Sequence, residues 1–139
     1  IPSSSDISAG LFTLTLNSTN NGGCLAVSQQ ITVNVTPAPI VDAGVDQIAD
    51  ERTMVNLVCS AYDPDGDAVT STWTSSSSDV VIDMPTSLTT SVKLPAITKD
   101  QTISMTCTAS DGRLSSSDSM TIKVVNTDYI TPWSIELFN

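Results

Sequence analysis

The stretch Ser60–Ser76, SAYDPDGDAVTSTWTSS, crowds Asp63, Asp65 and Asp67 around Pro64 and Gly66, with Trp73 following. To its left, MVNLVCS alternates apolar and polar residues through Met54–Ser60. To its right, AVTSTWTS does the same through Ala68–Ser75. Alternation with period two sends successive side chains to opposite faces of a strand. Asp-Pro and Asp-Gly are strong turn formers, because Pro presets φ and Gly accepts positive φ. The stretch therefore reads as strand, sharp turn, strand. Three readings of the turn stand open: a metal site, a catalytic carboxylate cluster, or a bend with no chemistry.

The same alternation recurs in both directions from this turn. It runs through LFTLTLNST from Leu11 to Thr19, ITVNVT from Ile31 to Thr36, TSVKL from Thr90 to Leu94, TISMTCTAS from Thr102 to Ser110, and SMTIKVV from Ser119 to Val125. Each run is short and bounded by Gly, Pro, Asn, Asp or Ser clusters, which is the signature of strands and hairpins. No stretch repeats its apolar residues at helical spacing. The fold class expected is all-β.

Composition narrows the surroundings in which such a chain works. Among 139 residues there are 5 Lys+Arg against 15 Asp+Glu, for a net charge of −10 and no histidine. That field repels nucleic acid and anionic membrane surfaces. Serine and threonine supply much of the polarity, as exposed faces of β-sheets do. No apolar run approaches the roughly 20 residues that cross a bilayer as a helix, so no membrane insertion is expected. The opening IPSSSD has neither the basic start nor the apolar core of a secretion signal. The chain is then either intracellular or a mature or excised piece of a secreted protein.

An internal repeat appears when LTLNSTNNGGCLAVSQQITVNVT (14–36) is set beside MTCTASDGRLSSSDSMTIKVVN (105–126). In both, an alternating strand ends in a polar turn with Gly, a Ser-containing stretch comes next, and a second strand closes the unit. Leu14 falls opposite Met105, and Leu16 opposite Cys107. The expected organisation is a closing β-hairpin of a preceding repeat at 1–36 and a Pro-containing linker at 37–44. A full sandwich is expected at 45–126, and a tail or first strand of a following domain at 127–139. An isolated hairpin is marginal in water. Residues 1–36 therefore need partners, in cis or by strand pairing with neighbouring copies or domains of the same array.

The segment Ile40–Asn126 resembles the polycystic-kidney-disease (PKD) type domain, an immunoglobulin-like β-sandwich common in bacterial and archaeal surface proteins and secreted enzymes. VDAGVDQ stands where the family opens, DPDGD between its second and third strands, STWT where it has a Tyr/Ser-Trp pair, TCTASDG at its sixth strand and SMTIKVV at its last. The resemblance implies two antiparallel sheets with alternate residues facing a shared interior. The chain departs from the family at Cys59 and Cys107. With Trp73 between them, their order is that of an immunoglobulin sandwich whose disulfide crosses the sheets under a packed indole. Two buried free thiols would also fit the positions. A disulfide implies an oxidising compartment, hence an extracellular or cell-surface protein. Cys24, in the turn NNGGC, is left to pair with a cysteine outside this chain or to stay free.

In the topology the resemblance implies, the loops after the second and sixth strands share one pole, which also receives the linker. Asp63, Asp65, Asp67, Asp111 and Asp42 are therefore candidate ligands for calcium, which takes 6–8 oxygens. Without metal, the same loop is a tight turn. Catalysis by these carboxylates is disfavoured: glycoside cleavage needs an enclosing cleft with one acid raised by burial. The lack of histidine excludes a Ser-His-Asp triad. Asn17 and Asn34 open two sequons, Asn17-Ser18-Thr19 and Asn34-Val35-Thr36, and are glycosylation candidates. The runs TSSSSD and LSSSD read as solvated loops.

The expected role is non-catalytic: a structural or adhesive segment of an extracellular repeat-built surface protein, fibre, filament or adhesin. Its partners would be neighbouring copies or domains through strand edges, with surface glycans as a further ligand class. The alternative is an accessory substrate-binding module of a secreted polysaccharide- or protein-degrading enzyme.

Overall fold

The computed structural model describes residues 11–17, 22 and 27–128. Every regular element among them is a β-strand: β1 (Leu11–Asn17), β2 (Ser28–Asn34), β3 (Ile40–Asp42), β4 (Gln47–Asp50), β5 (Met54–Val58), β6 (Ser60–Tyr62), β7 (Thr70–Ser75), β8 (Val81–Ile82), β9 (Thr89–Lys93), β10 (Gln101–Ser110) and β11 (Ser115–Val125). From Ile40 onward the strands form two facing layers. One has the order β4-β11-β10-β7. The other is built from β3-β6 and β5-β9-β8, in which β5 and β6 are two halves of one strand broken at Cys59. This strand order makes the chain an immunoglobulin-like β-sandwich.

Alternation is what closes the two layers on each other. Ile103, Met105, Cys107 and Ala109 of β10 are buried, and so are Met120, Ile122 and Val124 of β11, Val55 and Leu57 of β5, and Val92 of β9. Between them Thr102, Asn56, Lys93 and Lys123 stay exposed. Trp73, 1% exposed, sits at the centre of β7 directly beside Cys107 in the ladder. The Cys59–Cys107 disulfide joins the β5/β6 break to β10 in the opposite layer, with the Cα atoms 6.5 Å apart. The bond and its indole cover are thus present as the Cys…Trp…Cys order implied.

The first strand of the sandwich is shared between the layers. β3 pairs antiparallel with β6, and then β4 pairs parallel with β11. The crossing needs a sharp bend at Gly44, whose φ is +84°. A Cβ at that position would stand 3.3 Å from the Val58 carbonyl oxygen. Aspartates fix the bend. Asp118 Oδ2 accepts the Ala43 N–H at 2.8 Å, Asp42 Oδ1 accepts that of Gly44 at 2.8 Å, and Asp46 Oδ1 accepts that of Thr121 at 2.7 Å. Pairing thus begins at Ile40, inside the stretch expected as linker.

Two further differences from expectation have simple causes. The run LSSSD has the composition of a solvated loop, but Ser115–Asp118 belongs to β11, opposite Cys107–Ser110. These serines are exposed or half-buried, so the strand carries no apolar signal there. The two-residue β8 is too short for any period to show.

The β1–β2 hairpin pairs Leu14 with Ile31 and Leu16 with Gln29. Leu14, Leu16 and Ile31 are 51%, 55% and 48% exposed. Met105, the counterpart of Leu14 in the repeat alignment, is fully buried.

Candidate functional site at the poles of the sandwich

Asp63 comes directly after β6 and begins the turn into β7. Its Oδ1 accepts the Asp65 N–H at 3.0 Å and its carbonyl accepts the Gly66 N–H at 3.2 Å. Gly66 takes the positive φ, +89°, that such a turn requires. The turn draws Asp63 inward until the residue is 7% exposed, and its Oδ2 is buried with no hydrogen-bond partner. The Asp63 carboxyl two residues back, partial desolvation and the charges of Asp63 and Asp67 hold Asp65 above the ordinary carboxylate range. Asp67 is exposed.

The other expected ligands are engaged elsewhere. Asp111 lies in the turn between β10 and β11, and its Oδ1 accepts the N–H groups of Leu114 at 2.7 Å and Arg113 at 2.6 Å. Those two bonds, Leu114 first, hold Asp111 below the ordinary range. Its Oδ2 is buried without a partner. Asp42 spends an oxygen on the Gly44 bend. Among the described residues no three His, Cys, Asp or Glu side chains gather as a group able to hold a metal ion. Asp63 and Asp65 come together, and Asp67 adds its charge; Asp42 is tied to the crossover and Asp111 to its own turn.

The opposite pole holds a cluster to which neither alternation nor any motif points. Glu51, at the turn between β4 and β5, is 3% exposed. Its Oε2 accepts the Ile97 N–H at 2.9 Å. Its Oε1 accepts the Thr127 N–H at 3.1 Å and hydroxyl at 3.4 Å. The bond from Ile97, helped by Thr127 and Arg52, holds Glu51 below the ordinary carboxylate range against the pull of burial. Arg52 adopts a left-handed φ of 62° and forks onto Asp128 with Nη1–Oδ1 3.0 Å and Nη2–Oδ2 2.8 Å. That guanidinium lowers Asp128 in turn. Asn126 donates its side-chain amide to the Ile97 carbonyl. The cluster pins the segment that leaves β11.

Asn17 and Asn34 are exposed on the hairpin, but Ser18 and Thr19 of the first sequon lie outside the described residues, as does Cys24. A hollow of about 400 Å³ at the first-strand crossover is lined by Asp42, Gly44, Gln47, Asn56 and Val58 among others. A groove of about 620 Å³ beside β7 is lined by Thr70, Ser71, Thr72, Thr86, Ser87 and Leu88. The first contains one carboxylate and the second none. No helix among the described residues is long and apolar enough to cross a membrane.

No family model matches the chain, and no curated protein matches it. Solved structures do. One is a nucleoside hydrolase-related hypothetical protein from Saccharophagus degradans that is associated with carbohydrate metabolism. It is 22% identical, with a TM-score of 0.58, over 66% of this chain and 26% of that one. Another is the endo-fucoidan hydrolase MfFcnA4 from glycoside hydrolase family 107. It is 21% identical, with a TM-score of 0.53, over 91% of this chain and 20% of that one. This chain spans about a quarter and a fifth of those two proteins. At such identities the likeness is one of fold.

Proposed function

We propose that the chain is a non-catalytic, PKD-type module of an extracellular repeat-built surface protein, where it serves as a stiff spacer. The observation that carries this reading is the Cys59–Cys107 bond crossing a single dry core under Trp73. Such a bond persists in oxidising compartments. It limits unfolding in a sandwich whose surface offers shallow, mostly uncharged hollows. The pinned exit from β11 adds support, because a spacer has to pass direction as well as length to the next domain. The amphipathic β1–β2 hairpin, with Leu14, Leu16 and Ile31 outward, would pair with neighbouring copies or domains of the array. Electron microscopy of the intact secreted protein tests the spacer role: the expected image is a filament of evenly spaced beads. A compact particle built around one large catalytic domain would refute it.

A second reading is favoured by the two structural matches: an accessory module that helps a secreted enzyme engage polysaccharide. Both matched proteins are tied by name to carbohydrate chemistry, and this fold makes up only part of each. Under this reading, the purified chain co-sediments with insoluble polysaccharide and releases no reducing sugar from it. Under the spacer reading it stays in the supernatant.

A further inference from the structure

Strands that stay exposed in a native protein are guarded by charged side chains, prolines or bulges. The β1–β2 hairpin has none of these guards. Between Asp6 and Asp42 the sequence contains no Asp, Glu, Lys or Arg, and neither strand contains proline. The ladder runs without a bulge from Leu11–Asn34 to Asn17–Ser28. Among the described residues these two strands form a sheet of their own. Directly opposed residues share a face, so Leu14, Leu16, Ile31 and Val33 lie on one side, and Thr13, Thr15 and Thr32 on the other. Leu14, Leu16 and Ile31 are about half exposed. Their counterparts in β10, Met105 and Cys107, are wholly buried, because a facing layer covers them. The apolar side of the hairpin calls for a layer of the same kind.

Charge selects the occupant. All 5 Lys+Arg, and all of the 15 Asp+Glu except Asp6, stand at Asp42 or beyond. Two such acidic sandwiches repel each other at close range. The hairpin lies in the longest uncharged stretch of the chain, and two hairpins approach without that penalty. We propose that this apolar face is covered by the same face of a second copy, the two hairpins stacking about a two-fold axis into a four-stranded double layer. Stacked sheets sit about 10 Å apart with their side chains interdigitating. That is the setting Met105 and Cys107 already have inside the sandwich. Four strands in two layers also exceed the lone hairpin that is marginal in water. A self-complementary patch closes as a dimer and does not propagate. The inference rests on the pairing role given to the hairpin above, and names its partner: a second copy, met face to face.

The test is sedimentation velocity of the whole chain from about 10 μM to about 1 mM, since so small an interface belongs to the weak end of association. The expected result is a monomer–dimer equilibrium within that range. It should strengthen as salt rises, because salt screens the acidic sandwiches from each other. Over the same range the amides of β1 and β2 should gain protection from exchange, while those of β10 stay as they are. Leu14→Glu places a charge in the stacked face and should weaken the dimer about tenfold or more. Val81→Glu charges a more exposed apolar side chain on the sandwich and should leave the dimer unchanged, as should Cys24→Ser. The proposal is overturned if the wild-type chain stays monomeric to about 1 mM, if it grows beyond a dimer, or if salt dissolves the dimer. It is also overturned if Val81→Glu disrupts the dimer as Leu14→Glu does, or if the dimer vanishes in Cys24→Ser. The buried core includes no hairpin residue, so unchanged urea unfolding of the sandwich verifies that Leu14→Glu is folded. A monomer refutes the stacked dimer alone, because electron microscopy of the intact protein reads the spacer role separately.

Discussion

Glu51 and Asp63 are both more than nine-tenths hidden, yet they sit at opposite poles of the sandwich in opposite circumstances. Both oxygens of Glu51 accept hydrogen bonds, from Ile97 and Thr127, with Arg52 alongside. Asp63 has one oxygen satisfied and one with no donor. Burial of charge is tolerated where polar partners replace water. At Glu51 the chain brings every partner itself, so the group works as a structural latch. At Asp63 the chain supplies one partner and leaves the second oxygen without a donor. The difference separates a carboxylate whose burial is fully offset by partners from one whose burial is not.

The largest expected effect removes what both poles share. Trp73→Ala should cost about 3–5 kcal/mol, and replacing both Cys59 and Cys107 by Ala about 2–5 kcal/mol, measured by urea unfolding. Both poles should loosen together in hydrogen exchange. If only one pole loosened, the single-core account would be wrong.

Glu51→Ala comes next and should break the symmetry. Amides of Ile97 and Thr127 should exchange much faster, while those of Gly66 and Asp65 keep their rates. Glu51→Gln should restore only part of the protection, since it keeps the shape and loses the charge. Equal loosening at both ends would deny the latch its local role.

Acid should sharpen the same contrast. The folded-state value of Glu51 is depressed below the ordinary 4.5. Its stabilising contribution is therefore complete above that ordinary value and is lost as pH falls through the depressed one. Asp128 and Asp111 are depressed from 3.8 and carry the same sign. Asp65 is raised, so acid relieves repulsion there. Acidification should first ease the turn that holds Asp65 and only later release Thr127, as read by amide exchange. The reverse order would contradict the assignment of the two poles.

Smaller effects remain. Gly44→Ala should cost about 1–2 kcal/mol, because a left-handed backbone disfavours a Cβ and the Val58 carbonyl is close.

Much of the sandwich was legible in the sequence. Met105, Cys107 and Ala109 alternate inward and show it by their apolar character, and Leu57 and Cys59 share a face for the same reason. Strands whose inward residues are few or polar left no alternating pattern. β3, β4 and β8 span 3, 4 and 2 residues, and the start of β11 is all serine and aspartate. The latch was silent because Glu51 meets Ile97 and Thr127, 46 and 76 positions away. Local pattern carries no record of so distant a pairing. The acidic turn announced itself, but its sharing of labour did not. Asp42, Asp46, Asp111 and Asp118 look like spare carboxylates in the sequence, and each caps backbone N–H groups in the structure.

The central claim is one core closed by a bond across two sheets. Peptide mapping of the unreduced, alkylated protein tests it most directly. The predicted result is a single linked pair of peptides carrying Cys59 and Cys107, resistant to alkylation until the protein is unfolded and reduced. Recovery of Cys59 or Cys107 as an alkylated thiol from the native protein, or of either joined to Cys24, would contradict it.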